Sequence, residues 1–233
     1  MEQSHKTIAL HANNLRKSFF HPIAVDVLKE INLTVHHGEA IAITGRSGQG
    51  KSTLLQLLGT LEDPCGGILE IAGKKVASNN KSAIRNRHLA FIFQSFHLLE
   101  DYTALDNVLM PARIARKKVS KHSQAYQHGM HLLERVGLSD RAHFNSKLLS
   151  GGEKQRVAIA RALCNDPDII LADEPSGNLD KQTASNIHHL LLEFARQENK
   201  SVVIVTHDPD LASLCDQQYV LQDGLLHKQE NFH

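Results

Sequence analysis

The chain has 233 residues, 41% hydrophobic and 22% charged, with a formal net charge of +1. That length suits one substantial core with room for an inserted subdomain, and the near-neutral balance gives no field for gripping a nucleic-acid backbone. No apolar run approaches the ~20 residues that cross a bilayer, and residues 1–6 are polar, without a signal-peptide core, so the chain is expected to stay where it is made and to reach a membrane only through a partner. Cys65, Cys164 and Cys215 are far apart and odd in number, which reads as reduced thiols, not a disulfide framework. The sixteen histidines include adjacent pairs such as His36-His37 and His188-His189. They lack the spacing of a ligand set, so no structural metal site is expected of them.

In chain order, Ile8 and Leu10 fit a first half-buried strand, and Val25, Val27, Ile31, Leu33 and Val35 fit others. His36-His37-Gly38-Glu39 reads as a turn. Ala40-Ile41-Ala42-Ile43-Thr44 is then a nearly unbroken apolar run, as expected of a strand buried on both faces of a sheet. It ends at Gly45-Arg46-Ser47-Gly48-Gln49-Gly50-Lys51-Ser52-Thr53, which matches G-x-x-x-x-G-K-[ST]. Glycines let the backbone turn tightly and aim successive amides at an anion, and the helix that starts there adds the positive end of its dipole. Lys51 is expected to meet the β- and γ-phosphates of a nucleotide, and the Ser52 hydroxyl to ligate Mg²⁺. Leu54, Leu55, Leu57, Leu58 and Leu61 continue at helical spacing until Pro64 and Gly66-Gly67.

Residues 95–149 are rich in Lys, His and Gln with scattered leucines, and read as a mostly helical insertion. Beyond them Ile169-Ile170-Leu171-Ala172 and Val202-Val203-Ile204-Val205 repeat the buried-strand signature. A helical stretch carrying Ile187, Leu190, Leu191 and Phe194 lies between, so the sheet is expected to be parallel with right-handed crossovers. Asp173 and Glu174 leave the first of these strands at its C-terminal end. Asp173 is placed to hold Mg²⁺ through its water shell, and Glu174 to polarise an attacking water as general base. His207 leaves the second strand at the same edge, where ligands of parallel sheets bind, and can donate to a γ-phosphate.

Leu149-Ser150-Gly151-Gly152-Glu153, followed by Lys154-Gln155-Arg156 and about twenty residues before the acidic strand end, resembles the signature motif of ABC ATPases. The resemblance covers essentially the whole chain. It implies an α/β fold with a P-loop (RecA-like), mostly parallel sheet core, an N-terminal antiparallel β subdomain and an inserted helical subdomain. All 233 residues would form one ATPase domain, residues 1–94 and 155–233 making the core and residues 95–154 the insertion. It also implies an adenine-stacking role for Phe19, contact of Gln94 with Mg²⁺ or the lytic water, and a place for Asp180 along the interface with a second copy. Ser150, Gly151 and Gly152 would close over the nucleotide of that second copy, so that two ATP molecules are sandwiched between two chains. The partners implied are therefore another copy and integral membrane permease subunits that hold the chain at the cytoplasmic face of the inner membrane; no nucleic acid is implied.

The segment from Leu98 to Pro111, with Gly177-Asn178-Leu179-Asp180, is similar to lipoprotein-releasing ATPases, and macrolide-exporter and cell-division ATPases share parts of the pattern. Ser146 stands where many members carry proline, and Phe19 where tyrosine is commoner. A soluble ABC ATPase acting on DNA or ribosomes is the competing class; such chains usually carry two cassettes or long coiled-coil insertions. A regulatory nucleotide binder without turnover is the third reading, and the presence of both Glu174 and His207 argues against it.

Overall fold

The computed structural model describes residues 7–20 and 23–229; residues 1–6, read above as polar and without a signal core, lie outside them. Strands β1 (Ile8–Phe19) and β2 (Val25–His36) pair antiparallel with several register shifts. A turn at Gly38 leads to β3 (Ala40–Thr44) and the phosphate-loop residues, then α1 (Lys51–Leu58). The helix ends three residues before the last of the spaced leucines, because Gly59 caps it and Thr60 turns left-handed; Leu61 is exposed.

Next come β4 (Gly66–Ile71) and β5 (Lys74–Lys75), which extend the antiparallel side through β1, and α2 (Lys81–His88), which feeds β6 (Leu89–Ile92). Helices α3 (Ala104–Ile114), α4 (Gln124–Arg135) and α5 (Gly151–Leu163) occupy the middle of the chain. The last third is β7 (Ile169–Asp173), α6 (Lys181–Glu198), β8 (Ser201–Val205), α7 (Pro209–Ser213), β9 (Gln217–Gln222) and β10 (Leu225–Gln229).

The ten strands form one sheet in the order β5-β4-β1-β2-β10-β9-β3-β8-β7-β6. From β9 to β6 every neighbouring pair is parallel, whereas β1, β2, β4 and β5 pair antiparallel. The central strands read as unbroken apolar runs because each feeds two cores. Ala40, Ala42, Ile170, Ala172, Val202 and Ile204 face the helices α3 to α6. Ile41, Ile43, Ile169, Leu171, Val203 and Val205 face α1 and the antiparallel strands. Alternating side chains at period two put consecutive residues on opposite faces, so neither face leaves room for a polar position.

The helical region is held to the sheet by α5, which starts at Gly151 and runs unbroken to Leu163. Residues 151–154, assigned to the insertion on sequence grounds, therefore share one helix with the core. Near its far end the Arg161 guanidinium donates to the backbone oxygens of Phe96 (2.8 Å) and His97 (2.5 Å), in the loop that follows β6. Ser146 is fully buried; its hydroxyl accepts a 2.9 Å hydrogen bond from Asn107, and its amide donates to the Tyr102 oxygen. Side-chain bonding thus fixes the loop where proline would have fixed φ.

Candidate active site

Three of the parallel strands, β3, β8 and β7, are neighbours and end in register. The Thr206 amide donates to the Ile43 oxygen (3.1 Å) and the Glu174 amide to the Val205 oxygen (2.9 Å). The phosphate loop, Asp173-Glu174 and His207 consequently leave the sheet side by side at one edge. This is the edge at which open parallel sheets bind ligands.

The phosphate loop is shaped by its glycines. Gly45 has φ +147° and Gly50 φ +93°, and a Cβ would lie 2.5 Å from the Leu221 oxygen at the first and 2.5 Å from a Val27 methyl at the second. Backbone freedom and close approach are both needed there. Gln49 anchors the loop by accepting a 2.9 Å hydrogen bond from the Asp223 amide, in the turn between β9 and β10. No side chain caps α1, so the amides of its first turn point free into the loop. The Lys51 ammonium donates to the oxygens of Gly45 (2.8 Å) and Arg46 (3.1 Å), folded over the cradle it helps form.

Across the cleft, burial pushes the Asp173 carboxyl above the usual carboxylate range, and the neighbouring Glu174 adds to this; a hydrogen bond with Ser52 and the charge of Lys51 pull the other way. Asp173 and Ser52 thus meet at the mouth of the loop as hard oxygen donors, the donor type that Mg²⁺ selects. Glu174 sits at φ +47°, a left-handed conformation costing of order 1 kcal/mol for a residue with a side chain and typical of functional sites. Its Oε2 accepts hydrogen bonds from the Thr206 hydroxyl (3.2 Å) and the His207 amide (3.3 Å), and lies 2.9 Å from His207 Nδ1. The expected base and the expected γ-phosphate contact thus form a pair within this chain.

Gln94 and the loop before α6 are clasped together. Its side-chain amide donates to Asn178 Oδ1 (3.3 Å), and the Asn178 amide donates back to the Gln94 oxygen (3.0 Å). A Cβ at Gly177 would stand 2.9 Å from Gln94 Nε2, so a side chain there would displace the Gln94 amide. Asp180 caps α6, accepting from the Thr183 amide (3.0 Å) and hydroxyl (2.6 Å), and these bonds hold its carboxyl below the usual range.

Ser150 caps α5 in a reciprocal box. Its hydroxyl accepts from the Glu153 amide, while its own amide donates to Glu153 Oε2 (2.8 Å). The Ser150 amide and hydroxyl both donate to the Glu153 carboxylate and hold it below the usual range. Gly152 leaves space for a Thr183 methyl 2.6 Å from its would-be Cβ. Phe19 is 40% exposed at the end of β1, with the Lys17 ammonium over its ring, 5.1 Å from the centre.

The sequence reading missed three contributors. Leu221 closes on Gly45 with its backbone oxygen, from a short strand bounded by glutamines, and Asn178 clasps Gln94 from 84 residues away. The third, Gln155, is fully buried in α5 and donates to the Pro175 oxygen, tying the signature helix to the segment after Glu174. Its place directly after the signature motif was visible, but not its inward direction.

Among known proteins, the profile of the ABC transporter family matches residues 28–177. The lipoprotein-releasing system ATP-binding protein LolD of Protochlamydia amoebophila is 60% identical over 225 residues, covering 97% of this chain and 99% of that protein. The protein of the same name from Shewanella denitrificans is 46% identical over 226 residues, 95% of this chain and 96% of its own. In three dimensions the chain is similar to the dimeric structure of a bacterial ABC transporter cassette, with TM-score 0.84 and 35% identity over 96% of this chain and all of that one. A dimeric post-hydrolysis state of an ATP-binding cassette bound to ADP and Pi matches with TM-score 0.83, also at 35% identity, over 96% of this chain and all of that one. A profile match over more than half the chain and full-length relatives at this identity agree on one answer: the chain belongs to the ABC transporter family, as one of its ATP-binding cassettes.

Proposed function

We propose that this chain is the ATP-hydrolysing subunit of a lipoprotein-releasing ABC transporter, working as an ATP-sandwich dimer beneath integral membrane subunits. The observation that carries the hydrolytic reading is the convergence of the phosphate loop, Asp173-Glu174 and His207 on one sheet edge. The amides of residues 45–53 and the Lys51 ammonium hold the triphosphate, and Phe19 stacks on the adenine. Ser52, Asp173 and Gln94 supply oxygen ligands for Mg²⁺, directly or through water; the ion would neutralise charge on the β- and γ-phosphates. Glu174 accepts a proton from the attacking water, His207 donates to the γ-phosphate, and the Glu174–His207 contact keeps base and donor together. Ser150 and the first amides of α5 close on the γ-phosphate of the second copy, with Asp180 beside them.

The lipoprotein-release reading rests on the names and full-length similarity of the relatives, because cargo choice resides largely in membrane subunits. No helix among the described residues is long and apolar enough to cross a membrane, so membrane attachment goes through those subunits. Co-expression with the membrane subunits of a lipoprotein-releasing system should give a stable complex that releases lipoprotein from vesicles when ATP is added. Recovery only with a macrolide-exporter or cell-division permease would overturn the cargo reading and leave the ATPase intact.

A further inference from the structure

Helix α6 buries Ala184, Ile187, Leu191, Leu192, Phe194 and Ala195 along one stripe, and in that stripe stands one polar side chain, His188, 4% exposed. A buried imidazole among apolar neighbours is costly unless bonded. This one is bonded: its Nε2 shares a 2.7 Å hydrogen bond with Ser176 Oγ, two residues after Glu174. The same nitrogen lies 3.7 Å from Asp208 Oδ2, one residue after His207, beyond a direct hydrogen bond but close enough for charge to act. Asp208 is itself fixed, since its amide donates to Thr206 Oγ1 (3.0 Å) and its Oδ1 accepts from the Asp210 amide (2.8 Å). Thr206 in turn bonds Glu174. Beside the direct Glu174 contacts to Thr206 and His207, a cavity of about 400 Å³ is lined by Glu174, His207, Ser176, His188 and Asp208.

We infer that His188 is a positioning residue for hydrolysis: from the apolar face of α6 it ties the segment after Glu174 to the segment after His207, and thereby sets the spacing of the Glu174–His207 pair. His188 acts through Ser176 and Asp208. The inference rests on the hydrolytic reading above.

The test compares the full-length chain with His188→Leu, His188→Gln and Ser176→Ala. Leucine suits an apolar stripe, so the thermal midpoint of His188→Leu should hold or rise. Its kcat should fall about tenfold, the order expected when a reacting group is slightly misplaced, while KM for ATP stays within about twofold. Glutamine, whose side-chain nitrogen reaches a similar place, should restore most of kcat. Ser176→Ala should reproduce the loss, and the double variant should be no slower than either single one. Wild-type kcat in His188→Leu, or losses in both His188 variants that merely follow their stability, would overturn the inference. If His188→Leu does not fold, Ser176→Ala decides, and unchanged turnover there overturns it. Backbone hydrogen exchange gives a readout independent of turnover: residues 174–180 and 206–211 should both exchange faster in His188→Leu, and unaltered exchange removes the tie. A wild-type chain without ATP hydrolysis would instead refute the function proposed above, a failure distinguishable from loss of the tie.

Discussion

The N-termini of α1 and α5 both open on glycine, yet they satisfy their free amides in opposite ways. At α1 the loop glycines hold left-handed φ, no side chain caps the helix, and Leu221, Val27 and Gln49 brace the backbone from outside. At α5 the glycines are ordinary first-turn residues, and Ser150 with Glu153 caps the helix from within. Gly151 meets nothing nearer than 3.5 Å at its would-be Cβ. The first terminus therefore leaves its amides uncapped within one chain, as suits an anion site. The second is self-satisfied and outward-facing, as suits a surface that closes on something another chain brings.

That contrast can be broken or sharpened by substitution, and the largest effect is expected at Glu174. Glu174→Gln should lower turnover by at least about a hundredfold, the worth of a general base, while nucleotide binding persists; light scattering with Mg-ATP should then show a long-lived dimer. Undiminished turnover would remove Glu174 from the chemistry. Ser150→Arg should leave ATP affinity of the single chain unchanged and abolish the ATP-driven dimer. Normal dimerisation of that variant would mean the α5 terminus does not face a second copy.

Smaller effects separate the two kinds of glycine. Gly45→Ala meets both positive φ and the Leu221 oxygen, and should cost about 2–3 kcal/mol in urea unfolding. Gly48→Ala, with φ +79° and nothing within 4 Å, should cost only about 1 kcal/mol. Equal costs would show that close packing around the loop matters little.

The smallest expected effect is a pH dependence. Burial holds the His188 imidazole below its ordinary value, outweighing Asp208 and Asp210, with His189 acting in the same direction as burial; Glu174 and His207 face it across the cavity. As pH falls below about 6.5, the ordinary histidine value, the unfolded chain takes up a proton that the folded chain resists, so stability drops. His188→Gln should lose less thermal stability than wild type between neutral and mildly acid pH. Parallel melting curves for the two proteins would count against the buried neutral imidazole.

What could be read in the sequence follows from how local each signal is. The strands at residues 40–44, 169–172 and 202–205 are apolar at every position because both faces are covered, and that leaves a contiguous trace. The phosphate loop and the acidic strand end are legible for the same reason, since neighbouring residues act together. Strands β4, β5, β6, β9 and β10 leave no such trace: they are short or half-exposed, and Gln217 and Gln218 mask the pattern in β9. The Gln94–Asn178 clasp and the Gln155–Pro175 tie join segments 84 and 20 residues apart, and no local spacing encodes them. The His188-His189 pair shows in sequence only that it lacks the spacing of a ligand set, because the fold alone shows which way the His188 side of α6 turns.

Helix α5 is thirteen residues long, about 20 Å from end to end. One end carries Ser150; near the other, Arg161 grips the backbone just past Gln94. An α-helix holds a fixed rise per residue, so the distance from the serine to that backbone is set by the helix itself. Removing one turn would draw the two ends about 5 Å closer and misplace one of them against its neighbours.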